Sequence, residues 1–461
     1  MEIRRPDGPR DKLFGLSIMR RMNRDFLRFF QQMQTEYGDV VHLRMLFERQ
    51  YAFFHPNMIR EVLVEKASSF IRWEHGIRIF ASVHGNSVLV AEGEEWKQQR
   101  HLVKRAFVPR NFASYTRQLA RATHEALNTL PVGKPIDYEH AMNVLSMDVI
   151  LGSMFRTSLA TDSDLLERAV TELAESGYRQ MFIPFPVPGW FPGMSQHRKQ
   201  LAAIDTLIAQ CIAERRADPE HFHDWVSQLF LEVDATPGSA SLSDQNIHDQ
   251  AKSLFLARHE TTSSTLEWLG WVLAEHPDLA ARARAEVDAV LGGRHPEYED
   301  IANLPYLGQF IKETMRLYPV APALFMRRAT ENVQIGEWSL PKGSLVVMQN
   351  YAVHHDSRWF PEPEKFDPER FSPEAFKSIP RGAYFPFGLG PRTCIGSHFA
   401  MTEVTLIGAM LLQHFELFAA PGQVKPEISF TVALRPAGGM KLILRKRTPV
   451  EQRAALAGSE A

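Results

Sequence analysis

Two periods of apolar and polar positions run along the chain, and the helical one dominates. Its longest unbroken run is Asp244 to His276, which follows the N-cap candidate Ser243 and stops at Pro277; at 1.5 Å per residue it predicts a rod of roughly 50 Å. Helical spacing also predicts Arg24 to Tyr37, a helix around Asn57 to Glu65, the stretch AEGEEWKQQRHLVKRAF, patterns continuing to about Ser176, Pro277 to Leu291 before a turn at Gly292 and Gly293, LPYLGQFIKETMRLYP, and SHFAMTEVTLIGAMLLQHF after Gly396. Strand-rich runs bounded by turn residues occur at GDVVHLRM and ERQYAFFHP, an antiparallel pair, and between Tyr318 and Asp356, a small sheet. ISFTVALRPAGGMKLILRKR reads as a closing hairpin, whereas Ile71 to Val90 reads as a long loop with at most a short helix. MFIPFPVPGWFPGM is too rich in proline for a helix; it is a channel wall, a lid or a packed crossover.

The pattern predicts a mainly α protein with a smaller β region. Its 461 residues show no internal break, so one domain over 1–461 is expected, with no fused reductase. An apolar fraction of 44% against 23% charged residues is that of a protein with a large core, and a net charge of −2 gives no reason to expect a nucleic acid partner. No apolar run approaches the ~20 residues of a membrane span, and the basic N-terminus is broken by Pro and Gly. A cytoplasmic protein with no membrane anchor is expected. Cys211 and Cys394 are the only cysteines, so disulfide and zinc frameworks are excluded.

Cys394 lies in FPFGLGPRTCIG, Phe385 to Gly396. Glycines 388, 390 and 396 let the backbone turn and approach a flat partner, Pro386 and Pro391 stiffen the loop, and the following helix would favour a thiolate at its N-terminus. The plain alternative is a structural cysteine. Phe387, Gly390, Arg392, Cys394 and Gly396 reproduce Phe-x-x-Gly-x-Arg-x-Cys-x-Gly, and the chain resembles a cytochrome P450. The resemblance covers nearly the whole chain and implies a single triangular domain that binds haem b. It makes Cys394 the axial ligand of the haem iron and Arg392 the partner of a haem propionate, with Phe387, Gly388 and Gly396 lining the cofactor.

Further motifs follow in the family's order. Trp96 and Arg100, one turn apart, match a propionate-binding pair; alone, the spacing also fits a packed Trp beside an exposed Arg. Arg328 matches a third propionate arginine by spacing, with Arg327 its rival. Glu313-x-x-Arg316 and Arg370 match a structural triad that locks the thiolate loop. LFLARHETTSST stands where the family has Ala/Gly-Gly-x-Asp/Glu-Thr: Ala257 leaves room for the cofactor, and Glu260 and Thr261 match the catalytic acid and alcohol. Such a pair suits the chemistry, because cleaving an O–O bond needs two protons in a site that excludes bulk water. Val320, Ala321, Leu324 and Val432, with Ala257 and Arg258, are substrate-pocket candidates. His354 and His355 read as hydrogen-bonded structural histidines.

Arg258 departs from the family, which has glycine there. A guanidinium inside a core helix requires a partner. Three readings stand: it pairs with an acid on a neighbouring helix, it lines the substrate channel and takes an anionic group, or it perturbs the helix and its proton relay.

The resemblance implies a monooxygenase that hydroxylates or epoxidises an apolar small molecule with O2 and two electrons. A peroxide-driven peroxygenase and a non-catalytic haem-thiolate sensor are the alternatives; the first generally lacks the acid–alcohol pair and the second would leave it idle. Electrons would come from a ferredoxin or flavodoxin docked near Lys97, Lys104, Arg105 and Arg110. A monomer is expected.

Overall fold

The computed structural model describes residues 5–11, 15–45, 48–108, 111–155, 163–183, 187–188, 190–218, 224–234 and 242–448. Arg110 and part of the proline-rich stretch, 184–186 and 189, lie outside the described residues. The chain forms two compact units, one of residues 1–78 with 312–394 and one of 79–311 with 395–461.

The first unit is built on a five-stranded sheet. Val40–Met45 and Glu48–Phe53 pair antiparallel, Val40 opposite Phe53, as their sequence predicts. Glu48–Phe53 then runs parallel to Leu345–Met348, which pairs with Arg327–Ala329 and through it with Phe70–Arg72. Tyr51, Phe53, Val346, Met348 and Phe385 are fully buried beneath this sheet. The helix expected over Arg24 to Tyr37 is Phe26–Tyr37, and a further helix, Leu16–Arg24, precedes it; Asp25 divides them in an extended conformation and caps the second by accepting from Arg28 N. The helix expected around Asn57 to Glu65 is Pro56–Arg60 continued by a π-helical turn, Glu61–Glu65.

The second unit is helical around Asp244–Glu275, whose N-cap is Ser243 accepting from Asn246 N at 3.2 Å and whose end lies one residue short of the expected His276. Helices Gly93–Ala106, Phe112–Thr129, Tyr138–Ile150, Ser163–Met181 and Met194–Ala217 surround it. Gly270 lets the long helix meet Tyr138, since a Cβ there would stand 2.2 Å from the Tyr138 ring. Pro277–Leu291 ends at Gly292 and Gly293, both at positive φ, as a helix stop requires. The expected closing hairpin is divided: Glu427–Phe430 pairs with Leu434–Ala437, while Lys441–Lys446 joins Phe415–Ala419 and Pro135–Asp137.

The long loop expected over Ile71 to Val90 is corrected. It contains strand Phe70–Arg72 and the eleven-residue helix Glu74–His84. Gly76 and three β-branched residues weaken the local helical preference, but Ile79 and Val83 bury one face, and packing overrides propensity.

Candidate active site

The first unit holds the Cys394 loop. Its backbone is closed on itself: Gly388 N donates to Phe385 O, Thr393 N to Gly390 O, and Cys394 N to Phe387 O, each at 2.9–3.0 Å, while the Thr393 hydroxyl donates to Phe387 O and Gly388 O at 3.3 and 3.2 Å. Gly390 is irreplaceable on two counts. Its φ is +73°, and a Cβ would lie 1.9 Å from Leu63 O. Cys394 itself is exposed.

Behind the loop stands a buried polar chain. Glu313 and Arg316, both fully buried, make a two-pronged pair, Nε to Oε2 at 2.7 Å and Nη2 to Oε1 at 2.8 Å. Glu313 also accepts from Asp367 N at 2.9 Å, and Arg370 Nε approaches it at 3.4 Å. Arg316 Nη1 donates to the His354 carbonyl at 2.8 Å. The His354 ring then accepts at Nε2 from Phe385 N, the first residue of the loop, at 3.1 Å. Burial holds the His354 pKa well below the usual histidine range, and His355 and Arg316 add to the shift; a neutral ring is what an accepting Nε2 requires. His355 hydrogen-bonds the Tyr351 carbonyl through Nδ1 at 2.9 Å.

Alternation along Arg327–Ala329 sends the two arginines to opposite faces. Arg328 is committed elsewhere: Nε donates to Glu74 at 2.7 Å, Nη1 and Nη2 to Glu48 at 3.0 and 2.9 Å, and Nη1 also to Gly343 O. Every guanidinium nitrogen of Arg328, expected to meet a propionate, is thus engaged by protein acceptors, while its rival Arg327 is buried and donates from Nη1 to Phe325 O. Val320 is buried, Ala321 and Leu324 half-buried, and the Leu324 side chain lies 3.8 Å from the Cβ position of Gly388.

In the second unit the long helix buries almost every side chain of its middle, polar ones included. Ala257 and Thr261, one turn apart, are exceptions and are exposed. The Thr261 hydroxyl donates to Ala257 O at 2.9 Å. Glu260 points to another face, where its Oε2 accepts from Arg435 Nη2 at 2.8 Å. The acid and alcohol paired by the motif are thus sequence neighbours with separate partners. Arg100 stacks over the Trp96 ring at 5.7 Å, and Val432 is half-buried at the tip of the Glu427–Ala437 hairpin.

Arg258 takes the first of its three readings. Its Nε donates to Glu403 Oε1 and Oε2 at 3.0 and 3.1 Å, and its Nη2 to Glu403 Oε1 at 2.6 Å and to Ser153 Oγ at 3.1 Å. The guanidinium also lies over Phe399 at 5.0 Å. Glu403 belongs to Ser397–His414, the helix that follows the thiol loop, and it accepts from Thr262 Oγ1 as well. Arg258 is therefore corrected from a pocket residue to an internal ion pair. Sequence reasoning missed Glu403 as that partner, and it missed Arg435; the two stand 145 and 175 residues from the groups they bind.

The donor set fits a thiolate-ligated haem. A soft sulfur is exposed on a loop closed by five hydrogen bonds of its own backbone and the Thr393 hydroxyl, and glycines at 388 and 390 keep side chains out of it.

The cytochrome P450 family model matches residues 6–444. The chain is 34% identical to cyclooctatin synthase of Streptomyces melanosporofaciens over 433 residues, 92% of each protein. It is 30% identical to cyclooctat-9-en-7-ol 5-monooxygenase of the same organism, 84% of each, and 27% identical to pentalenene oxygenase of Streptomyces avermitilis, over 91% of this chain and 93% of that one. Retinoic acid-bound cyanobacterial CYP120A1 has the same fold, with a TM-score of 0.83 at 24% identity, over 97% of this chain and all of that one. No helix among the described residues is long and apolar enough to cross a membrane. The chain belongs to the cytochrome P450 family, as a haem monooxygenase.

Proposed function

We propose that this chain is a single haem domain that hydroxylates or epoxidises a terpenoid-like hydrocarbon, drawing two electrons from a separate ferredoxin or flavodoxin. The observation that carries the reading is the exposed Cys394 thiol on its self-bonded glycine loop, backed by the Glu313–Arg316–His354 chain. The substrate class rests on relatives named for cyclooctatin and pentalenene oxidation and on the apolar side chains Val320, Ala321, Leu324 and Val432. With only two cysteines the chain has no Cys-x-x-Cys-His for covalent attachment, which favours non-covalent haem b.

When bound, haem supplies dioxygen activation, with thiolate donation favouring O–O cleavage. The chain's residues do the rest. Cys394 would provide the thiolate, Arg327, Arg392 and Arg100 would offer positive charge to the propionates, and Trp96 would offer its indole N–H. Phe387, Gly388 and Gly396 would line the ring. Ala257, small and exposed, would leave room for the ring, Thr261 would hold a proton at its hydroxyl, and Glu260 would bring protons in. Lys97, Lys104 and Arg105 offer positive charge to an acidic electron donor, although Lys97 and Arg105 are already paired with Glu94 and Glu232. A cytoplasmic monomer suits this role.

Replacing Cys394 by Ser should abolish the red-shifted Soret band of the reduced carbon monoxide complex; survival of that band would overturn the ligand assignment. Spectral titration with cyclic terpenes, fatty acids and steroids should give shifts with the first class, and a response confined to another class would overturn the substrate proposal.

A further inference from the structure

Glu260 is not the only carboxyl group on its face of the long helix. Glu267 lies seven residues on, two turns along, so both side chains leave the same side about 10.5 Å apart along the axis. They converge on Arg435 of Leu434–Ala437. Its Nη2 bonds Glu260 Oε2 at 2.8 Å, while Nη1 stands 3.8 Å from Glu267 Oε1 and 3.7 Å from Glu139 Oε1. With the Asn143 amide turned so that both its ends are satisfied, its Nδ2 donates to Glu267 Oε1 at 3.2 Å and Ser263 Oγ at 2.8 Å, and its Oδ1 accepts from Arg435 Nη1 at 2.9 Å. Glu267 is fully buried. Its Oε2 and the Oε1 of Glu260 have no hydrogen-bond partner among the described residues.

The charges do not balance if every group ionises. Glu260 and Glu267 from the long helix, Glu139 from Tyr138–Ile150 and Glu167 from Ser163–Met181 share one guanidinium; the His140 imidazole also faces Glu167, the buried His259 ring adjoins Glu260 with its pKa lowered by burial, and the Tyr138 phenol adjoins Glu267. A second unpaired anion in this interior is too costly to keep, so the cluster retains a proton, and Glu267 is its most buried member. Burial drives the Glu267 pKa well above the usual carboxylate range; Arg435 opposes the shift, while Glu139, Glu260 and Glu167 add to it. Glu139 has the most exposed side chain of these, at 22% against 10% for Glu260 and 0% for Glu267.

We propose that Glu267 is a positioning residue that stores one proton and exchanges it with Glu260 across their shared partner Arg435, with Glu139 as the inlet from solvent. This rests on the proposed role of Glu260 as the proton-carrying acid. In the exchange one O–H bond breaks at Glu267 and one forms at Glu260. Glu267 becomes the anion and takes over Arg435, Glu260 becomes a neutral acid, and the net charge of the cluster is unchanged. The low dielectric that makes a second anion expensive makes this swap cheap, because the charge moves without being created.

The test is infrared spectroscopy of the purified holoenzyme at pH 7, reading the carbonyl stretch of a protonated carboxyl group. Wild type should show a band that shifts in D2O, disappears in Glu267→Gln and persists in Glu260→Gln; in Glu139→Gln its deuterium exchange should slow about tenfold or more, as loss of a proton-transfer group does. Glu267→Gln should keep the carbon monoxide Soret band yet form about tenfold less product per electron, with Glu267→Asp restoring most of the coupling. A band absent from wild type, a band unchanged in Glu267→Gln, or full coupling in that variant would each overturn the proposal. Labelling glutamate with heavy carbon at its side-chain carboxyl reads the wild-type band without any variant. Failure of the haem-thiolate reading is separate, since it would show as loss of the Soret band in wild type itself.

Discussion

Arg258 and Glu403 allow a calculation with few unknowns. Glu403 is 1% exposed and its accepting oxygens are served by two nitrogens of Arg258 and by Thr262. Replacing Arg258 by Met removes both charged donors and leaves the carboxylate buried with one hydroxyl, a loss of roughly 3–5 kcal/mol. It also removes the stacking on Phe399, about 0.5–2 kcal/mol for a desolvated site, which is the smaller effect. Glu403→Met strands the guanidinium instead, but Ser153 and the Phe399 face remain to it, so this variant should lose less. The double variant substitutes two thioethers of similar length and leaves no stranded charge, so its net cost should be no more than about 1 kcal/mol. Urea unfolding of the four proteins, followed by circular dichroism at equal haem loading, should give a coupling energy above about 2 kcal/mol. Additivity within about 0.5 kcal/mol, the range for independent sites, would refute the claim that the pair acts as a unit.

Other outcomes follow from the first unit. Arg327→Leu should lower haem retention while Arg328→Leu should leave it near wild type and instead release Glu48 and Glu74; the reverse order in a haem-transfer assay would restore the spacing-based assignment. Glu313→Ala strands Arg316 and should cost roughly 3–5 kcal/mol, with loss of haem; full haem occupancy would refute the clamp. Gly390→Ala, with its Cβ position 1.9 Å from Leu63 O, should abolish the carbon monoxide Soret band even though Cys394 is intact. His354 has a folded pKa below its unfolded one, so the neutral ring stabilises above about pH 6.5 and that support is lost as pH falls, at up to about 1.4 kcal/mol per pH unit. The stability difference between wild type and His354→Asn should shrink with that sign below pH 6.5, and a difference independent of pH would show that folding does not lower the His354 pKa.

What could be read from the chain was whatever is written locally. The Ser243 cap and Pro277 stop delimit the long helix to within one residue, because both act within a turn of their own position. The thiol loop is legible for the same reason. What could not be read is set by which distant group arrives. Arg258 calls for an acid, yet nothing near it in sequence names Glu403. Arg327 and Arg328 differ by one residue, and a one-residue step in a strand reverses the face, so spacing alone could not show that Arg328 is engaged by Glu48 and Glu74. Glu267 passes unnoticed because a glutamate in a helix ordinarily marks solvent; its burial comes from Tyr138 and Asn143 on a helix more than a hundred residues earlier.

The five-stranded sheet has a consequence for how the protein is made. Its parallel pair joins Glu48–Phe53 to Leu345–Met348, so the amino-terminal hairpin leaves the ribosome with one edge unmatched. At about 5–20 residues per second the matching strand emerges roughly 15–60 s later. Throughout that interval the hairpin edge is open to strangers, and the yield of active protein should depend on chaperone supply and translation speed more than the stability of the finished molecule would suggest.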